Sequence, residues 1–241
     1  MGLSNILGGL KAAIAFLTTI PIEGEFEHFK RNLWMIPYVG ALIGFLISIP
    51  YLLKDAGYFI PFLAFCAILI YVAIEGINHM DGLADFGDAF FAPESKKIQA
   101  LKDTRTGAGG VVFLTLYLII LFHLLDKAQA LDLIISQFFA KYSMLLMLVF
   151  SKPAWEGIAS ELMKHARKRD VLVASLPISF FIINPDFVLS ALISIITAFF
   201  LKKYGEKNFG GINGDLAGAA NCLSFILSLG LLQFLDYINT I

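Results

Sequence analysis

The sequence predicts an all-α fold, a polytopic integral membrane helical bundle of about seven spans plus an N-terminal interfacial helix, within a single domain over 1–241. Three observations carry this expectation. Hydrophobic residues make up 58% of the chain and charged residues only 15%, with a mean hydropathy of +0.78, outside the range of water-soluble domains. Apolar segments of lipid-spanning length recur along the chain. All 18 Lys and Arg except Lys54, Lys127 and Lys141 fall on one side of the membrane when the segments are threaded in order.

The elements follow from the N-terminus. Residues 3–20 (LSNILGGLKAAIAFLTTI) carry Lys11 in mid-segment and end at Pro21, before Glu23, Glu25 and Glu27. A central lysine makes a poor span, so this segment is expected to lie in the interface, with a true span as the alternative. No small-residue cleavage site follows it, so no removable leader is expected. Clear spans are predicted at 33–53, 57–78, 107–125, 128–150 and 214–235. Residues 171–183 and 186–201 are shorter; Asn184-Pro185-Asp186 between them reads as the turn of a tight helical hairpin. The Lys/Arg asymmetry predicts a multi-pass protein of the cell membrane with its N-terminus, and every polar segment of interest, in the cytoplasm. A net charge of −1 gives no general attraction to nucleic acid, so membrane lipid is the expected macroscopic partner, and a homo-oligomer is compatible with the sequence. Cys66 and Cys222 both lie in apolar segments, where they read as small hydrophobes.

The stretch EGINHMDGLADFGDAFFAPESKKIQALKDTRTGAGG, residues 75–110, interrupts this pattern. At 100° per residue, Asp81, Asp85 and Asp88 form one helical stripe, with Asp85 about 40° and Asp88 about 20° to either side of Asp81. Carboxylates on one stripe repel each other, and at a membrane edge they are costly without a countercharge. Carboxylate oxygens suit Mg²⁺, so Asp81, Asp85 and Asp88 are read as metal ligands. Buried-type residues between them (Leu83, Phe86, Ala89, Phe90, Phe91) argue against a simple solvated face. Gly82 and Gly87 weaken the helix by about 1 kcal/mol each relative to alanine, which makes sense if a backbone or ligand approaches closely. His79 reads as a donor to an Asp or to phosphate rather than as a ligand. Lys102 and Arg105 suit phosphate. Gly107 and Gly110 open the next span, where free N–H groups can meet an anion.

A second polar segment, NFGGINGDLAGAA, spans residues 208–220. Helix packing accounts for Gly214 and Gly218 but not for Asp215, a carboxylate at the mouth of a span. Its expected partner is Lys141, within the 128–150 span, or a metal shared with the first cluster. Glu156-Gly157 in the basic 151–170 loop is placed only loosely near the site.

HMDGLADFGDA (79–89), KDTRTGAGG (102–110) and GGINGDLAGAA (210–220), with weaker echoes in FLTTIPI (16–22) and IPYVGALIG (36–44), occur in the order and spacing of the cobalamin synthase family. The chain resembles that family, the adenosylcobinamide-GDP ribazoletransferases, over most of its length. The resemblance implies an integral membrane enzyme that needs Mg²⁺. Such an enzyme joins a GDP-activated corrinoid to α-ribazole or α-ribazole 5′-phosphate and releases GMP. It implies Asp81, Asp85 and Asp88 as metal ligands and Asp103 and Asp215 as further acidic site residues, either of which is the proton acceptor. Lys102, Arg105 and Lys141 would serve as catalytic cations, and His79, Gly107, Gly110, Gly211 and Asn213 would bind substrate. Two departures stand out: the family commonly has arginine where Lys141 stands, and often glutamates where Cys222 and Phe225 stand. A CDP-alcohol phosphotransferase would need Ala-Arg after Asp-Gly, but Ala84 is followed by Asp85. A cation transporter would favour carboxylates deep within the spans and inverted repeats, and no convincing repeat is present.

Overall fold

The computed structural model describes residues 3–177 and 185–239. The described residues form α-helices, two short 3₁₀ turns and no strand beyond one isolated bridge, Pro153 with Ile212. In chain order the helices are α1 (Leu3–Leu17), α2 (Phe26–Lys30), α3 (Ile36–Asp55), α4 (Leu63–Glu75), α5 (Asn78–Phe91), α6 (Lys97–Leu101), α7 (Ala108–Lys127), α8 (Ala130–Phe150), α9 (Ile158–His165), α10 (Lys168–Ala174), α11 (Pro185–Phe209) and α12 (Gly214–Asn239).

Helix α8 is the axis of the bundle: 83% of its most apolar window is buried, against 22% for α7, which faces outward. Helix α3 can lie closely along α8 because Gly40 and Gly44 face it. A Cβ at either position would come within 2.3–2.4 Å of the carbonyl oxygens of Gln137 or Leu133. Helix α12 packs on the other flank of α8, and α11 packs on both. Small polar groups join the apolar seams: Ser194 Oγ donates to Phe139 O (2.7 Å) and Ser143 Oγ to Ala220 O (3.1 Å).

Among the described residues, five helical segments are long and apolar enough to cross a membrane: Leu33–Asp55, Ala108–Lys127, Ala130–Phe150, Asp186–Phe209 and Gly214–Ile238. They make this a multi-pass membrane protein. The span expected at 57–78 is different. Its helix, α4, has 13 residues, about 20 Å of rise, short of the roughly 30 Å of bilayer hydrocarbon. The chain then turns by 94° into α5. Gly76 makes the turn at φ 75°, a left-handed conformation that glycine adopts without strain. Among the described residues, counting this bent pair as one span gives up to six, so the expected count of seven is not confirmed. Of the other part of the expected hairpin, 171–183, residues 178–183 lie outside the described residues; the rest holds the end of α10 and the few residues after it, with Tyr38 Oη donating to Val173 O (3.3 Å). The N-terminal α1 has 15 residues, too few for a full span.

Candidate active site

Helix α5 is strongly amphipathic. Met80, Leu83, Ala84, Phe86, Gly87 and Ala89 are buried, and the aspartate stripe lies on the other face. Two glycines set how closely its neighbours approach. A Cβ on Gly82 would stand 2.8 Å from the Asp215 backbone of α12, and one on Gly87 would stand 2.8 Å from Gly109 O of α7. The expected close approach is thus to backbone. Gly218 serves the same crossing, facing the His79 backbone at 3.1 Å, whereas Gly214 has nothing within 4 Å and plays no packing part.

This crossing brings Asp81, Asp85, Asp103 and Asp215 to the wall of one cavity of about 370 Å³, with Lys102 and Trp155. Lys102 Nζ sits 4.2 Å over the Trp155 ring, which fixes the cation at the rim. Asn213 donates to Asp215 through Nδ2 and accepts from Leu216 N (3.1 Å), so it both orients the carboxylate and caps α12. Among the described residues no three His, Cys, Asp or Glu side chains converge into a ready metal cage. An open arrangement of carboxylates is nevertheless what Mg²⁺ uses, since the ion keeps water and takes substrate phosphate as its remaining ligands.

Several expected site residues stand elsewhere. Asp88 does not line the cavity. Its Oδ2 accepts from Gly107 N (2.7 Å) and its Oδ1 from Gly110 N (2.9 Å), so this carboxylate of α5 caps α7. The N–H groups of Gly107 and Gly110, expected to be open to substrate, are therefore already satisfied by the protein's own anion. Arg105 turns outward, its side chain 86% exposed, and grips Asp103 through Nε–Oδ1 (3.1 Å) and Nη2–Oδ2 (3.0 Å). That fork holds the Asp103 carboxyl below the usual carboxylate range, which makes it a poor proton acceptor. Gly211 packs where a Cβ would meet Lys152 O at 2.5 Å, a structural role. Glu156 is exposed near Lys164 (3.6 Å) and does not line the acidic cavity.

Lys141 does not meet Asp215. It is fully buried, with Nζ 2.7 Å from Glu75 Oε1 and 2.9 Å from Asn221 Oδ1. The same Glu75 oxygen accepts from Asn221 Nδ2 (2.7 Å) and lies 2.8 Å from His79 Nδ1. Glu75 is the last residue of α4, and from there it meets Lys141 of α8 and Asn221 of α12. Glu75, Asn221 and Trp155 were not singled out from the sequence. Glu75 carried a readable signal, a carboxylate one helical turn before His79 at the end of an apolar run. Its Oε2 is buried without a hydrogen-bond partner, the kind of group whose isolation costs about 1–3 kcal/mol.

A second, larger pocket of about 700 Å³ lies beside the acidic cavity. Glu75, His79 and Asp215 reach its wall, so Asp215 borders both spaces.

Residues 9–233 match the model of a family described as cobalamin-5-phosphate synthase. Two proteins of Archaeoglobus fulgidus, each named adenosylcobinamide-GDP ribazoletransferase, are 48% and 42% identical to this chain, and each match covers 94% of this chain and 97% of the relative. A protein of the same name from Methanocella arvoryzae is 33% identical, over 95% of this chain and 96% of its own. No solved structure matches.

Proposed function

The chain belongs to the cobalamin-5-phosphate synthase family, and from that premise we propose that it joins a GDP-activated adenosylcobinamide to α-ribazole or its 5′-phosphate, releasing GMP, with Mg²⁺ as cofactor. The observation that carries this reading is the cavity in which four aspartates and Lys102 stand together. That donor set suits a diphosphate bound with a divalent ion and suits few other ligands.

In the proposed reaction a hydroxyl of the acceptor attacks the phosphorus next to the cobinamide. A new P–O bond forms, the bridging P–O bond breaks, and GMP leaves. Asp81 and Asp85 would hold the ion together with water and substrate phosphate, and the ion when bound would offset charge on the phosphoryl oxygens. Lys102, poised over Trp155, would take a phosphate oxygen. The hydroxyl proton goes to a carboxylate. Asp215 is better suited than Asp103, whose two oxygens are committed to Arg105. Asn213 keeps Asp215 directed at the cavity. The Lys/Arg asymmetry of the sequence supports a site facing the cytoplasm of the cell membrane.

Purified protein in lipid, supplied with Mg²⁺, acceptor and either GDP-activated corrinoid or CDP-lipid, tests the reading. Release of GMP is expected. Release of CMP, or no nucleotide release with the corrinoid substrate, overturns it.

A further inference from the structure

We propose that the larger pocket beside the acidic cavity binds the acceptor nucleoside, its apolar walls taking a flat aromatic base and Glu75 Oε2 taking a hydroxyl donor. The assignment rests on the proposed function, which requires two substrates to meet at one phosphorus. The pocket and the cavity share Asp215, so a molecule in the first can present a group to the second.

The walls state the chemistry of the occupant. Most of the wall surface is apolar, with Phe16, Leu17, Met144, Leu148, Ile158 and Leu162 among its contributors, which suits a flat aromatic base, while Thr18, Thr19, Asn78 and His79 add polar groups around it. The chain builds this wall deliberately. Just beyond α1, Thr19 N donates to Ile74 O (2.8 Å) and its Oγ1 bonds Ala73 O, so Phe16 and Leu17 are pinned to the end of α4. At the polar end, the Glu75 side chain is 1% exposed and its Oε1 is taken by Lys141 and Asn221. Its Oε2 accepts from no described residue. An unpaired carboxylate oxygen on a residue of the pocket wall is an acceptor that a ligand O–H satisfies once the side chain turns toward the pocket. A volume of about 700 Å³ admits a nucleoside but not a corrin ring with its amide side chains.

Two variants test the assignment. Phe16→Ala removes the aromatic wall, and Leu162→Trp fills the pocket. Calorimetric titration of α-ribazole into protein held in lipid nanodiscs, without the corrinoid substrate, is expected to show saturable binding to the wild type. Affinity should fall at least 10-fold in each variant, while affinity for GDP in the presence of Mg²⁺ changes less than 2-fold. In turnover, KM for the acceptor should rise by the same factor and KM for the corrinoid should not. If Leu162→Trp does not fold, Phe16→Ala, on a half-exposed side chain, answers alone. Unchanged acceptor affinity in a folded variant overturns the proposal, as does a loss of GDP affinity instead. A phospholipid that copurifies in the pocket and is not displaced by α-ribazole overturns it too. A wild type that turns over normally while the variants keep the wild-type acceptor KM sinks the pocket assignment alone. A wild type that binds α-ribazole but never releases GMP sinks the proposed function.

Discussion

Replacing Lys141 by methionine is the sharpest test of how this fold is held together. The Lys141–Glu75 pair is 0% and 1% exposed in its side chains, with 2.7 Å between Nζ and Oε1. At an effective dielectric of about 20, two unit charges at that separation attract by about 6 kcal/mol. Desolvation offsets much of this in the intact pair, but removing one partner leaves the other charge buried, a change that typically costs about 3–5 kcal/mol. Asn221 and the nearby His79 ring offset part of the loss, so Lys141→Met is expected at the lower end of that range. Glu75→Gln should cost a similar amount. The double variant should be more stable than the sum of the two single losses allows, with a coupling of at least about 2 kcal/mol. Melting followed by a thiol-reactive dye reads this directly, because Cys222 is buried and free. A Cys66→Ser background removes the other signal. At about 2–4 °C per kcal/mol for a chain of this size, each single variant should lose on the order of 10 °C. Single losses below about 1 kcal/mol, or losses that simply add, would refute the reasoning.

Four further outcomes follow. Asp85→Asn should cut kcat about 10²–10³-fold while melting within a few degrees of wild type, whereas Asp88→Asn should lose roughly 1–2 kcal/mol of stability as a broken cap of α7; equal melting losses in the two would contradict their separate roles. Gly82→Ala places a Cβ 2.8 Å from the Asp215 backbone, so it should cost about 1–3 kcal/mol and depress turnover, and a fully active, fully stable variant would contradict the close crossing. Chelation of Mg²⁺ should abolish GMP release reversibly, with activity restored on adding the ion back; activity that survives exhaustive chelation would remove the metal from the proposal. Arg105→Gln should let the Asp103 carboxyl return upward toward its ordinary range. The contact contributes when Asp103 is ionised and is lost as pH falls through its depressed value, so the two proteins should differ in melting at neutral pH and converge in strong acid.

Much of the site was legible because helical periodicity and chemistry agreed in one segment. The α5 stripe, the close approach at its glycines and a carboxylate at the mouth of the 214–235 span all follow from spacing and residue type. What escaped the sequence depended on where the chain turns. Gly76 reads equally well as a residue inside an apolar run, so the span at 57–78 was expected to continue straight. Glu75, the last residue before the 94° turn, meets Lys141, a partner 66 positions away that no local pattern announces. Asp88 shows the same limit. Its position on the stripe is as predicted, but the start of α7 comes near enough to engage both of its oxygens. Helix periodicity places a side chain on a face; only packing decides what that face meets.

The capping of α7 has an electrostatic corollary. With the nearest helix start occupied by Asp88, Lys102 is the one cation among the described residues that lines a cavity holding four carboxylates. A diphosphate arriving bare would enter a field of its own sign. Under the proposed function this imposes an order of arrival: nucleotide and divalent ion enter together, or the ion precedes. Uncomplexed nucleotide should then be a feeble competitor at any concentration the cell supplies.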